Sequence, residues 1–149
     1  DLVTINGVQG IVFQTSPVKI VSVVESELLK WGEYGVVTDA TNSSSGLKNM
    51  NTIKNISNWT SQYLAFKWCA SLGSNWYLPA YKELLTIYDQ LTTLNKTISA
   101  NELVTFKSTY YWSSTENSNN NAYVVDFAHG NTGFSYKYNT YRVRAVYAM

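Results

Sequence analysis

Asn58-Trp59-Thr60-Ser61-Gln62-Tyr63-Leu64-Ala65-Phe66-Lys67-Trp68-Cys69-Ala70-Ser71-Leu72-Gly73, followed by Ser74-Asn75-Trp76-Tyr77-Leu78-Pro79, is the stretch that decides the fold. Trp59, Tyr63, Phe66 and Ala70 recur at helical spacing, with Leu64, Trp68 and Leu72 on an adjoining stripe. Asn58 is placed to cap the start, and Gly73 to end the helix in a left-handed conformation. Pro79 suits the first position of a second helix running through Glu83, Leu84, Ile87, Tyr88 and Leu91. Both helices present apolar faces wide enough to cover a sheet.

Strands are expected on either side of this pair. Upstream, Gly10-Ile11-Val12-Phe13-Gln14 and Val18-Lys19-Ile20-Val21-Ser22-Val23-Val24 are β-rich runs parted by the turn signal Ser16-Pro17. Their near-continuous apolar character fits a strand buried on both faces, or a short hairpin at the centre of a sheet. From Thr38 to Ser57 the residues are mostly small and polar, which predicts a long irregular loop. Downstream, strands are predicted at 110–114, 122–127, 133–138 and 141–148, with Gly130-Asn131-Thr132-Gly133 as a hairpin connection. Strands, two helices, then strands again imply an α+β domain whose first and last strands share one sheet, with the termini close together.

The 149 residues suit one domain, 1–149, able to bury roughly 70% of the surface of the unfolded chain. Charged residues make up only 14%, against a typical value of about 25%, and polarity comes instead from Asn, Ser and Thr. With 12 Tyr and 5 Trp the chain is rich in aromatic rings. A net charge of +1 from scattered Lys and Arg gives no basic field for nucleic acid. Apolar runs fall far short of the ~20 residues of a membrane span, so no direct membrane insertion is expected. The chain opens at Asp1 without a signal-peptide pattern, as expected of a mature fragment or a trimmed piece.

Catalytic and metal chemistry find little support. His129 lies within seventeen residues of Ser113, Ser114, Glu116 and Asp126, but neither serine carries the glycine pattern of a nucleophile elbow. Cys69, between Trp68 and Ala70, is expected to fill core volume. Glu25 and Glu27 alternate on a strand end, and Glu33 and Asp39 are isolated, so no glycosidase pair stands out. Cys69 and His129 are too few for a structural zinc, and no acidic loop has calcium-binding spacing. No cofactor or metal is expected. Arg142 and Arg144 alternate on the last strand, so they share one face, with Val143, Ala145 and Tyr147 on the other. Glu116 and Asp126 are the expected partners of a structural ion pair there.

The most unusual composition lies in the last third. Asn117-Ser118-Asn119-Asn120-Asn121 leads into Tyr123, Asp126, His129, Asn131, Phe134, Tyr136, Tyr138, Asn139 and Tyr141. Tyr offers broad contact area at low entropic cost, while Asn and Ser hydrogen-bond in either sense. Aromatic faces beside amides also suit sugars. A binding face of Asn119, Asn121, Tyr123, His129, Asn131, Tyr136, Tyr138 and Tyr141 is one expectation. An ordinary Asn-rich turn beside half-buried tyrosines is the other.

Four motifs occur in order: Phe66-Lys67-Trp68-Cys69-Ala70-Ser71-Leu72-Gly73; Trp76-Tyr77-Leu78-Pro79-Ala80 with Glu83-Leu84; Tyr111-Trp112-Ser113-Ser114-Thr115-Glu116; and Tyr141-Arg142-Val143-Arg144-Ala145-Val146. Together with Gly10-Ile11-Val12-Phe13 and Gly46-Leu47-Lys48-Asn49-Met50, they make the chain resemble a bacterial C-type-lectin-like domain, of the type at the C-terminus of a bacterial collagen-like adhesin. The resemblance implies a compact α+β fold with two helices on a mainly antiparallel sheet, adjacent termini and a loop-rich lobe. Trp68, Trp76 and Trp112 would form its core, stabilised by Glu116 with Arg142 or Arg144. It further implies a non-catalytic recognition module, outside a bacterial cell or on a phage or appendage, for an extracellular protein or glycan. A structural or assembly domain of a surface or pilus-like protein is the alternative. The fold also includes formylglycine-generating enzymes, whose cysteine pair is missing here, and animal calcium lectins, whose Glu-Pro-Asn or Gln-Pro-Asp loop is missing. The variable proteins of diversity-generating retroelements are more similar, because Asn119-Asn120-Asn121 and the residues to Tyr141 look like their diversified segment. The Asn-x-Ser/Thr sequons at Asn42, Asn55, Asn58 and Asn95 read as by-products of composition.

Overall fold

The computed structural model describes residues 2–149. The chain opens with a three-stranded meander: β1 (Leu2–Ile5), β2 (Val8–Thr15) and β3 (Val18–Ser22). The β1–β2 turn is Asn6-Gly7, both at positive φ (48° and 87°), a two-residue turn whose twist matches that of the strands. Ser16-Pro17, with a cis bond, turns β2 into β3. A short β4 (Leu29–Lys30) follows.

Three helices come next: α1 (Gly46–Lys54), α2 (Trp59–Gln62) and α3 (Leu64–Ser71). The irregular loop expected over 38–57 is therefore interrupted by α1. Ser45 Oγ caps this helix by accepting from Lys48 N, and its small polar sequence conceals a buried face of Gly46, Asn49, Met50 and Ile53. The single helix expected from Asn58 to Gly73 is broken at Tyr63, whose backbone (φ −95°, ψ 67°) leaves the helical region. Tyr63 is driven inward: its ring lies against Gly32, where a Cβ would meet it at 2.2 Å, and packs edge-on to Trp31 at 5.9 Å. Asn58 adopts a left-handed conformation and makes no side-chain cap. Gly73, at φ 143°, follows the end of α3.

β5 (Trp76–Tyr77) then leads to α4 (Tyr81–Asp89) and α5 (Leu91–Ala100). The start of the helix thus moves from Pro79 to Tyr81, with Ala80 as the cap: its N–H donates to Glu83 Oε1 at 3.0 Å. The sequence reading did not anticipate α5. Thr92, Thr93 and Thr97 weaken its intrinsic propensity, and burial of Leu94 and Ile98 compensates.

The remaining strands are β6 (Tyr110–Glu116), β7 (Asn121–Asp126), β8 (Asn131–Tyr136), β9 (Thr140–Tyr141) and β10 (Val146–Ala148). They form three antiparallel sheets: β1-β2-β3-β10-β5, β4-β9 and β6-β7-β8. β10 pairs with β3, Val146 opposite Val21, so early and late strands share one sheet. Leu2 lies three strands from Val146, roughly 14 Å away at normal strand spacing. The β7–β8 connection is residues 127–130, so Gly133 sits inside β8 opposite Val124 and not in the turn. The strand expected at 141–148 is divided into β9 and β10.

The three sheets and the helices meet over one core. Trp31, Trp76 and Trp112 are buried, each indole closed off by neighbours; Trp31 Nε1 donates to Ser113 O and Trp112 Nε1 to Leu29 O, both at 2.8 Å. Trp68, expected among them, is only half-buried and lines an apolar groove with Leu29 and Leu64. Trp31 takes the central place instead.

The ion pairs also differ from expectation. Glu116 pairs with Lys137 and Asp126 with His129, so neither meets the arginines. The arginines converge on Glu25: Arg144 Nη2 donates to Glu25 Oε1 at 2.7 Å, and Arg142 Nε stands 3.8 Å from Oε2. Lys107 Nζ and Tyr111 OH also donate to Glu25. The guanidinium of Arg144 lies 3.9 Å from the Phe106 ring centre, and its Nη2 donates to Val104 O. Burial raises the Glu25 carboxyl, but Lys107, then Arg144 and Tyr111, pull it below its ordinary value.

Candidate functional site

The site grows out of a simple alternation. In Tyr136-Lys137-Tyr138, Lys137 turns inward and both tyrosines turn outward, the reverse of what polarity would suggest. Lys137 is fully buried, its Nζ 4.9 Å from the Trp31 ring centre. It donates to Glu116 Oε1 at 2.6 Å and to Val36 O at 2.7 Å. Glu116 in turn accepts from Thr38 N, Thr38 Oγ1 and Asp39 N. Burial lowers the Lys137 ammonium, opposed by the Glu116 carboxylate. The charges compensate one another within the protein, so they attract nothing to the surface above them.

That polar strut fixes three chain segments side by side. Trp31 N donates to Lys137 O at 3.0 Å, Gly35 N to Asn119 O at 3.0 Å, and Lys137 N to Asn120 O at 2.8 Å. The Asn-rich run is itself an ordered turn, with Ser118 Oγ accepting from Asn120 N and Asn121 N. On the outside, Tyr136 and Tyr138 stack at 5.3 Å and 20°, while Tyr34 leans on them at 6.0 Å and 5.0 Å. The three rings are 46%, 47% and 53% exposed in the order Tyr34, Tyr136, Tyr138. Beside them lies a groove of about 320 Å³ lined by Asn121, Phe134, Ser135, Tyr136 and Asn139, all uncharged. Asn139 Nδ2 donates to Ser135 Oγ, and Ser135 Oγ shares a hydrogen bond with Tyr141 OH, so the floor of the groove is fixed.

The eight residues expected at a binding face fall into three settings. Asn119, Asn121, Tyr136 and Tyr138 gather at one end of the β7–β8 hairpin. His129 and Asn131 sit at the other end, five pairs away, or roughly 17 Å at normal strand rise. Tyr123 and Tyr141 are half-buried: Tyr123 packs on Tyr81 at 4.7 Å, and Tyr141 on Trp112 at 4.9 Å. Tyr34, Phe134, Ser135 and Asn139 complete the cluster. Tyr34 was not anticipated, because it lies about a hundred residues upstream and only the fold brings it there; Gly35 beside it, at φ 86°, is the local signal of the turn that presents it.

A nucleophile–base–acid arrangement does not assemble. Ser113 Oγ donates to Tyr123 O and Ser114 Oγ accepts from Asn49 Nδ2, both in the interior. His129 is exposed, with Nδ1 2.8 Å from Asp126 Oδ2. Its hydrogen bond holds the Asp126 carboxyl below the ordinary range. Cys69 is buried, and burial pushes its thiol up. A second groove, of about 690 Å³ and lined by Asp39, Thr41, Asn42, Ser43, Ser44, Ser45, Lys48, Asn49 and Thr52, runs between the 38–45 loop and α1. Among the described residues, no group of three or more His, Cys, Asp and Glu is placed to hold a metal ion, and no helix is long and apolar enough to cross a membrane.

Two small antiparallel sheets on a larger one, with helices against them and a loop-rich lobe carrying the tyrosines, define a C-type-lectin-like α+β domain. The family model described as the Lcl C-terminal domain matches residues 26–147, and the chain belongs to that family. Among solved structures, a fimbrial protein from Bacteroides ovatus ATCC 8483 superposes with a TM-score of 0.71 at 18% identity. The match covers 89% of this chain and 36% of that protein, so the chain spans about a third of its length. At that identity the likeness concerns the fold. No curated protein matches.

Proposed function

We propose that this chain is a non-catalytic recognition module displayed on a bacterial surface or appendage, binding an extracellular protein or glycan through the Tyr34, Tyr136 and Tyr138 cluster and the adjoining groove. The observation that carries it is the pairing of three exposed, mutually packed rings with a wholly internal Lys137–Glu116 charge pair beneath them. The backbone under the rings is hydrogen-bonded from three segments, so little ordering is required when a ligand stacks there. Asn119, Asn121 and Asn139 supply amide donors and acceptors at the rim. Family membership and the fold shared with a fimbrial protein support the surface setting. Within this face Tyr123 and Tyr141 are half-buried supports, packed on Tyr81 and Trp112.

The test is a screen of the chain against arrayed glycans and immobilised extracellular proteins, with and without calcium. Hits should persist without calcium and fall at least tenfold, about 1.4 kcal/mol, when Tyr136→Ala and Tyr138→Ala are combined. Hits unaffected by the double substitution would place recognition elsewhere on the domain.

A further inference from the structure

The groove beside the tyrosine cluster is defined by what it leaves unpaired. Asn121 stands opposite Tyr136 in the β7–β8 ladder, and Phe134 lies two residues before Tyr136, so the three side chains share one face. Phe134 is 61% exposed. The main chain of Asn121 is committed: its N–H donates to Ser118 Oγ, and its carbonyl accepts from Asn117 N and Ser118 N. Its side-chain amide bonds no other described residue and is open to solvent. Asn139 Nδ2 donates to Ser135 Oγ at 2.8 Å, while its Oδ1 accepts from no described residue. An exposed apolar ring thus stands beside one complete amide and one amide oxygen, and none of the five lining residues is charged. At about 320 Å³ the groove lies at the small end of ligand clefts, roughly 300–1,000 Å³.

We propose that this groove takes a neutral sugar, a hexopyranose unit whose C–H face lies on the Phe134 ring while two neighbouring hydroxyls bond the Asn121 amide. One hydroxyl donates to Oδ1 and the other accepts from Nδ2; a third donates to Asn139 Oδ1. This rests on the reading of the tyrosine face as the ligand face, and narrows it from protein or glycan to an uncharged glycan. An apolar anchor from a protein would cover both amides without giving them partners, which is worse than leaving them in water. A sulfated or uronate sugar would bring a charge that the groove does not answer: the cation next in sequence, Lys137, turns inward to Glu116. A neutral sugar meets both demands, because its C–H face is apolar and its hydroxyls satisfy the donor and the acceptor of an amide together. The turn already holds the Asn121 main chain, so only its side chain has to settle on binding.

The test applies the whole chain to arrayed glycans sorted into neutral and acidic sets, then titrates the isotope-labelled chain by NMR with the strongest neutral hit. Neutral glycans should bind, and the hit should shift the side-chain amide signals of Asn121 and Asn139. Asn121→Ala should weaken binding at least about tenfold. Asn121→Asp, which keeps the shape but replaces the donor with a charge, should do the same. Circular dichroism checks folding, and if Asn121→Ala unfolds, Asn121→Asp decides. Binding confined to acidic glycans, or to no glycan at all, overturns the proposal. So does neutral binding that a folded Asn121 variant leaves unchanged. Protein hits alone, lost when Tyr136→Ala and Tyr138→Ala are combined but kept in Asn121→Ala, overturn the sugar and leave the tyrosine face standing. Neutral hits lost with Asn121→Ala but indifferent to the tyrosine pair support the sugar and confine the ligand face to the groove.

Discussion

Tyr77 and Tyr111 lie inside the domain, whereas Tyr34, Tyr136 and Tyr138 lie outside it, and the two sets show what the same side chain does in each setting. Inside, every hydroxyl of this pair meets a carboxylate: Tyr77 OH donates to Glu83 Oε2 at 2.5 Å and Tyr111 OH to Glu25 Oε1 at 2.8 Å. Burial and the neighbouring carboxylate push the Tyr77 phenol well up, and burial pushes Tyr111 up to about 12. Each such carboxylate is a hub: Glu83 also takes Lys19 Nζ, Gly46 N and Ala80 N, tying β3, α1 and α4 together. Outside, the rings touch one another, and among the described residues their hydroxyls meet no carboxylate. The interior tyrosines hold the fold, and the outer ones are left over for something else.

The comparison breaks most sharply at the strut between the two regions. Lys137→Met leaves Glu116 buried without its counter-charge and should cost about 3–5 kcal/mol in urea unfolding. A cost below about 1 kcal/mol would mean that the pair is not buried as described. Next in size is the Glu25 hub. Because its carboxyl is lowered in the folded state, its contribution is present at neutral pH and is lost as pH falls from the ordinary value of 4.5 through the lowered one. Unfolding free energy should therefore drop over that acidic window, and Glu25→Gln should flatten the slope. An unchanged slope in the variant would assign acid sensitivity elsewhere.

How much of this was legible beforehand depends on how local the cause is. The β2–β3 hairpin could be read because Ser16-Pro17 and two apolar runs lie next to each other. The α+β order was legible for the same reason. Helix α1 was hidden because Asn49 is a buried polar residue, satisfied by Asn42 O and Ser114 Oγ, groups that no pattern within the helix announces. The break at Tyr63 needs Gly32, thirty residues earlier. Lys137 reads as a solvated lysine until Trp31 and Glu116 close around it. Likewise the arginine pair was visible as an alternation, but Glu25 as its partner was not, since it lies 119 residues before Arg144, just past β3. In the candidate site, Tyr136 and Tyr138 were visible from composition; Tyr34 was not, because folding alone brings it there.

Smaller effects sharpen the contrast between the two sets of tyrosines. Tyr77→Phe removes a hydroxyl from a buried carboxylate and should cost about 1.5–3 kcal/mol, the range for a hydrogen bond to a charged group. Tyr138→Phe should stay within about 0.5 kcal/mol in the same assay, as exposed substitutions do. Equal costs would erase the distinction between inner and outer rings.

The most direct measurement sets the two ends of the β7–β8 hairpin against each other. Dissociation constants for an array hit are compared between the Tyr136→Ala, Tyr138→Ala chain and a His129→Ala, Asn131→Ala chain, both confirmed as folded. Loss of at least tenfold in the first and less than twofold in the second is the predicted result, corresponding to about 1.4 kcal/mol against less than about 0.4 kcal/mol. Loss confined to the His129 end, with the tyrosine variant binding normally, would contradict the assignment of the ligand face.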